Sequence, residues 1–170
     1  MPQAVEILKA LFPYSRWEPT EPGGYEDKHL GIDGRLIRRK IPFSVQCKFR
    51  KHEILERFGT DFLLETANGD GTPGEMHHMF ADMYLLAWAD ETDERFRYWA
   101  LLDGRKIRDE IVDAGGAGVL GTRIQNHEHG SAEAVAIPLS SLESAVVESN
   151  IPGYSRSEAL VEQTVQRESA

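Results

Sequence analysis

Polar and apolar residues alternate along the segment from Ser44 to Arg50. The apolar positions are Val45, Cys47 and Phe49, and the polar positions are Ser44, Gln46, Lys48 and Arg50. Successive side chains of a β-strand point to opposite faces of a sheet, so this period predicts a half-buried strand. One face of the strand is expected to join a hydrophobic core, and the other to present its polar side chains.

Apolar spacing and turn residues divide the rest of the chain into further elements. We predict helices at 3–12, 103–112 and 140–147, and strands at 61–66, 81–89, 96–102 and 134–139. Segment 17–25 is rich in Pro and Gly and is predicted as an extended connector, and 52–58 as a polar connector. Consecutive strands joined by tight turns favour a mixed or antiparallel sheet. Together with the predicted flanking helices, we expect an α/β domain.

Length and composition fit one globular domain. The chain has 170 residues, of which 41% are hydrophobic and 28% charged. We expect the domain to occupy 1–150, followed by a C-terminal polar helix or tail at 151–170 with a helix starting at Ser155. The longest apolar run, 83–89, is too short to span a bilayer, and the N-terminus has no basic segment followed by an apolar core. These features predict a cytoplasmic protein without a membrane partner.

The single cysteine, Cys47, lies on the apolar face of the predicted strand, where it cannot form an internal disulfide. We expect it to pack in the core, as buried free cysteines do, and a reducing compartment suits it.

Basic residues are concentrated in one stretch of an otherwise acidic chain. The net charge is −9, which by itself argues against a nucleic-acid partner. No Asp or Glu lies between residues 35 and 51, and the basic residues there are Arg35, Arg38, Arg39, Lys40, Lys48, Arg50 and Lys51. This stretch is a candidate phosphate-binding surface; the alternative is a solvated hairpin tip with protective charges.

Asp33 belongs to a short apolar segment, 30–37, that precedes the alternating strand. If the two segments pair antiparallel, the Asp33 carboxylate lies beside Gln46 and Lys48. A carboxylate, an amide oxygen and an ammonium would then share one site.

An acid followed by Gln-x-Lys on the next strand resembles the PD-(D/E)xK nuclease superfamily, in the variant of phage-type and homing nucleases in which Gln replaces the second acid. Asp33 takes the place of the first acid, Gln46 the second position and Lys48 the lysine. The chain departs from the pattern because Ile32 replaces the proline before the acid and because Gln46 is neutral. The first change affects only the strand end, whereas the second makes the metal site depend on other carboxylates.

This resemblance implies a restriction-endonuclease-like fold over roughly residues 1–105, with a mixed sheet of about four to five strands flanked by helices. It implies a DNA endonuclease of phage or mobile-element type that uses Mg²⁺ or Mn²⁺ and acts as a homodimer. The metal ligands would be Asp33, Gln46 and the Cys47 carbonyl, with Lys48 as the catalytic lysine. Glu6, from the first helix, and Glu65 are candidates for the further carboxylate, with Glu26 and Asp27 in reserve. The basic contacts to DNA would come from Arg35, Arg38, Arg39, Lys40, Arg50 and Lys51.

Two other interpretations remain open. The chain could be a non-catalytic nucleic-acid-binding relative of the same fold, since Gln46 weakens the metal site. It could instead be an acidic interaction or inhibitor protein, in which the Gln-x-Lys pattern is accidental. The histidine pairs at 77–78 and 127–129 lack zinc-like spacing and are expected to be solvated, and the glycine-rich segment 113–122 lacks the ending of a phosphate loop.

Overall fold

Two β-sheets form the framework of the protein. The computed structural model describes residues 2–126 and 132–154. In chain order the strands of this part are β1 (Arg16–Pro19), β2 (Gly34–Arg38), β3 (Ile41–Arg50), β4 (Phe62–Ala67), β5 (Met83–Ala89), β6 (Phe96–Asp103), β7 (Thr122–Asn126), β8 (Ala132–Ile137) and β9 (Val146–Ser149). Six strands form a sheet in the order β1-β2-β3-β5-β6-β9, and three form a second sheet in the order β4-β8-β7. In the larger sheet β3 and β5 pair in parallel and the other neighbours pair antiparallel, so the sheet is mixed.

The helices cover the larger sheet on both faces. They are α1 (Pro2–Leu11), α2 (Tyr25–Leu30), α3 (His52–Phe58), α4 (Gly104–Asp113) and α5 (Ala117–Leu120), with 3₁₀ turns at Glu75–His78 and Leu139–Ala145. One face of the sheet packs on α1 through Leu8, Val45 and Leu85. The other face packs on the small sheet and α4, where the rings of Phe62 and Tyr84 meet at 5.9 Å. Because both faces are covered, the polar face of β3 points into the protein interior.

The α/β architecture is confirmed, but the predicted number of strands is wrong, because the main sheet has six. Strand β7 of the second sheet was not predicted. In the main sheet the unpredicted strands are β1, which overlaps the segment predicted as a connector, and β9, part of which was assigned to a helix. Both β1 and β9 are four-residue strands at the sheet edges, and β1 contains Pro19, which an edge position tolerates. Short edge strands need no apolar alternation, so the sequence carried little signal for them.

Other elements differ in similar ways. The connector predicted at 52–58 is α3, and the helix predicted at 140–147 is a 3₁₀ turn with a non-helical residue at Leu142. The helix predicted at 103–112 is confirmed as α4, which Asp103 caps by accepting from the N–H groups of Arg105 (2.9 Å) and Lys106 (3.1 Å). The helix predicted from Ser155 and the histidine pair at 127–129 lie outside the described residues.

A two-residue turn joins β2 to β3. Arg38 pairs with Ile41, so Arg39 and Lys40 form the turn, with φ of 48° and 71°. A two-residue hairpin turn with positive φ at both positions is normally built from Asn and Gly. Two long basic side chains therefore occupy strained backbone positions at this tip.

None of the helices described here is long and apolar enough to cross a membrane.

Candidate active site

Asp33 lies where β2 and β3 separate. β2 begins at Gly34, which pairs with Val45, so β3 has no β2 partner beyond Val45. The Asp33 N–H donates to the Val45 carbonyl at 2.9 Å, and Asp33 Oδ2 accepts from the Cys47 N–H at 2.6 Å. The Asp33 side chain thus takes the place of the missing strand at the residue between Gln46 and Lys48.

The Cys47 carbonyl faces the same gap. The N–H and C=O of one strand residue point to the same edge of the strand. Because the Cys47 N–H points to Asp33, its carbonyl also points toward the side on which Asp33 lies. The backbone oxygen predicted as a metal ligand therefore lies on the same edge of β3 as the predicted carboxylate.

The Cys47 side chain points away from this gap and packs with the α1 face of the sheet, as expected. Burial, together with the nearby Asp33 carboxylate, raises the pKa of the Cys47 thiol to about 12. The thiol is protonated at neutral pH, which argues against a role as nucleophile.

Gln46 is buried on the inner face of β3, with 9% of its surface exposed. In the described part of the chain its Oε1 has no hydrogen-bond donor. A Cβ at Gly31 would lie 3.0 Å from this oxygen and 3.1 Å from the His78 carbonyl, and Gly31 has a φ of 60°. Glycine at position 31 therefore leaves room for the Gln46 side chain and adopts the positive φ required there. The Gln46 Oε1 atom remains available to a cation or a hydrogen-bond donor.

Lys48 forms an ion pair with a residue that the sequence analysis missed, Glu75. Lys48 Nζ lies 2.5 Å from Glu75 Oε2, and the side chains are only 18% and 9% exposed. No backbone amide or hydroxyl in the described residues donates to either Glu75 oxygen. Burial raises the pKa of Glu75, against the lowering effects of Lys48 and Arg50, and Glu65 raises it further. A lone acid in a short turn belongs to no periodic pattern, so nothing in the sequence marked it.

Asp33 is half-buried, and burial and the neighbouring charges shift the pKa of its carboxyl. Burial is the largest effect and raises the pKa of its carboxyl, and the charge of Asp27 raises it further. The Cys47 N–H and the charge of Lys48 lower it. Asp33 and Lys48 thus interact electrostatically across the gap.

The other carboxylates predicted for the site have separate positions. Glu6 is exposed on α1, which covers the opposite face of the sheet. Glu65 lies on β4 and interacts with Glu75. Glu26 makes a bidentate ion pair with Arg35, which lowers its pKa, and Asp27 is near enough to affect Asp33. Residues 2–126 and 132–154 contain no group of three or more His, Cys, Asp or Glu that could hold a metal.

The basic stretch is divided in space. Arg38, Arg39 and Lys40 lie at or beside the hairpin tip, at one end of β3. Arg50 and Lys51 lie at its other end, about 30 Å away at the rise of a β-strand. Arg50 donates to the Leu63 carbonyl at 3.2 Å, and Arg35 is paired with Glu26. Of the residues predicted to contact DNA, those at the hairpin tip are therefore the group that could bind one phosphate surface together.

Comparison of the chain with models of known families gives no match, and neither does comparison with curated proteins.

Proposed function

We propose that this protein is a metal-dependent DNA endonuclease that hydrolyses phosphodiester bonds. The observation that carries the proposal is the Asp33 carboxylate bound to the N–H of Cys47, the residue between Gln46 and Lys48. The acid is thus held at the backbone position between Gln46 and Lys48, which supports the arrangement that the nuclease resemblance implies. The raised pKa of Asp33 agrees with a carboxylate held for chemistry, because such placement costs stability.

The residues present fit a hard divalent cation. Asp33, Gln46 Oε1 and the Cys47 carbonyl offer oxygen atoms, which Mg²⁺ and Mn²⁺ prefer. Gln46 Oε1 is buried without a donor, which is costly unless something binds to it. A bound Mg²⁺ would supply an activated water and stabilise charge on the phosphate.

The protein's own groups would orient the substrate around that centre. Lys48 carries an ammonium that can hold the attacking water and offset charge that develops on the scissile phosphate. The Asp33 carboxylate is fixed by the Cys47 N–H, so it needs little reorganisation.

The hairpin tip is the proposed contact with duplex DNA. Arg39 and Lys40 are exposed there, and a two-stranded ribbon fits the major groove. Their positive φ values supply an independent argument, because strained backbone concentrates at functional positions. Basic side chains stand at positions where Asn and Gly would be more stable, which fits a role for their charge.

Several finer expectations belong to the same proposal. These are a restriction-endonuclease-like fold, an origin in a phage or mobile element, a cytoplasmic location and a homodimer. A two-fold dimer would present two sites to the two strands of a duplex.

A second function has one observation in its favour. The Lys48 ammonium is held by Glu75 in a largely buried ion pair, as it would be in a DNA-binding relative that has lost catalysis. The two functions differ in a simple assay. Purified protein should nick or cut supercoiled plasmid with Mg²⁺ or Mn²⁺ and stop when EDTA is added, whereas the non-catalytic relative would retard the plasmid without cutting it.

A further inference from the structure

The segment that carries Glu75 is held in place on both sides. On one side, Pro73 bridges to Ala67 and the Gly74 N–H donates to the Thr66 carbonyl at 3.2 Å. A Cβ at Gly74 would lie 2.6 Å from the Glu65 carbonyl oxygen, so only glycine permits this approach to β4. The backbone before Glu75 is therefore fixed against the small sheet.

On the other side, Arg108 of α4 donates to the carbonyls of Met79 (2.9 Å) and Ala81 (3.1 Å). Met79 is buried in the core between the sheets. Glu75 is thus presented to Lys48 by a braced turn and not by a free loop.

Glu75 also restores the charge that Gln46 removes. The unmodified nuclease pattern has two acids and one lysine, which gives one net negative charge. Here Asp33, Lys48 and Glu75 give the same net charge, although the second acid comes from a different segment.

We propose that Glu75 is a positioning residue for Lys48. Its carboxylate fixes the ammonium on the inner face of β3, in the orientation that Lys48 needs to interact with the scissile phosphate. The role rests on the proposed nuclease function. Glu75 acts through Lys48 and is not itself expected to touch the DNA.

A purely structural role explains the pair less well. Taking a carboxylate and an ammonium out of water is costly, and apolar residues of similar volume often serve equally well or better. The pKa of Glu75 is raised because burial outweighs the help from Lys48 and Arg50. A costly pair beside Asp33 and Gln46 is therefore better explained by the orientation that it gives to Lys48.

The experiment compares wild type with Glu75→Gln and Glu75→Asp in steady-state plasmid cleavage. Glu143→Gln, an exposed acid in the Leu139–Ala145 turn, is the matched control. Glu75→Gln is expected to lower kcat by roughly 10²-fold, the scale of a misplaced proton-transfer or charge-stabilising group, with KM unchanged. Glu75→Asp should recover part of kcat, and the acid limb of the pH–rate profile should lose one ionisation in Glu75→Gln.

The outcomes separate the two proposals. A Glu75→Gln variant with the kcat and pH profile of wild type overturns the positioning role. So does a fall in kcat that parallels a fall in Tm, if Glu75→Asp does not recover kcat. If Glu75→Gln does not fold, Glu75→Asp decides by the same criteria of kcat, Tm and pH profile. Absence of metal-dependent cleavage by wild type contradicts the nuclease proposal itself.

Discussion

The Asp33 carboxylate accepts a hydrogen bond from the backbone N–H of Cys47 at 2.6 Å, at the point where β2 no longer pairs with β3. A side chain completes a hydrogen bond that a neighbouring strand would otherwise make. The carboxylate is held beside two inward-facing polar residues, Gln46 and Lys48, and the cost is the burial of its charge.

Replacing Asp33 by Asn should abolish cleavage without lowering stability. Asn Oδ1 can still accept from the Cys47 N–H, whereas the half-buried negative charge is removed. Thermal unfolding at pH 7 should give a Tm equal to or above that of wild type. Asp70→Asn is the matched control with the opposite sign, because hydrogen bonds from Thr72 lower the pKa of Asp70. A marked fall in Tm for Asp33→Asn would show that the charge is stabilising and would contradict this account.

The raised pKa of Asp33 predicts how the stability of the protein changes with pH. A carboxyl whose pKa is raised in the folded state contributes stability below its unfolded pKa and loses it as pH rises through the folded pKa. The free energy of unfolding of wild type, relative to Asp33→Asn, should therefore fall as pH rises from the ordinary Asp range toward neutrality. Urea unfolding of both proteins across this range measures the difference. A difference that grows with pH would indicate a lowered pKa for Asp33.

The Lys48–Glu75 pair should behave as a coupled unit. Lys48→Met leaves the buried Glu75 carboxylate without its ammonium, and Glu75→Leu does the converse, so each single change should cost about 3 kcal/mol. The double variant should recover most of that stability, because apolar residues replace both charges. A double-mutant cycle from urea unfolding gives the coupling energy. Additive costs would mean that the two groups do not interact in solution.

The hairpin tip offers a test in which stability and binding change in opposite directions. Lys40 has a φ of 71°, so Lys40→Gly should stabilise the protein by about 1 kcal/mol through relief of strain. It should also weaken DNA binding and reduce the slope of log affinity against log salt by about 0.9, the value for one duplex phosphate contact. Affinity measurements at several salt concentrations give both quantities.

The triple change of Arg38, Arg39 and Lys40 to Ala extends this test, with cleavage at saturating substrate as the control because the site chemistry should be unaffected. If affinity and salt slope stay at wild-type values, the tip is only a solvated turn. That result would favour the acidic interaction-protein interpretation.

The sequence predicted those parts of the fold and site that depend on local pattern. The alternation from Ser44 to Arg50 placed β3, and Asp33 followed because a short apolar segment precedes that strand. The strand count of the main sheet was too low because β1 and β9 are short edge strands whose pairing depends on neighbours. Glu75 could not be predicted, because its contact with Lys48 depends on the path of the chain between β4 and β5. The basic stretch is continuous in sequence but divided in space, because the ten-residue strand β3 separates its two ends.

The most direct test of the account is plasmid cleavage by wild type, Asp33→Ala, Lys48→Ala and the control Glu6→Ala, each with Mg²⁺ and with EDTA. Glu6 is a suitable control because it is exposed on the helix that covers the other face of the sheet. The account predicts metal-dependent cleavage by wild type and Glu6→Ala, and none by folded Asp33→Ala or Lys48→Ala. Metal-dependent cleavage retained in both site variants would contradict it.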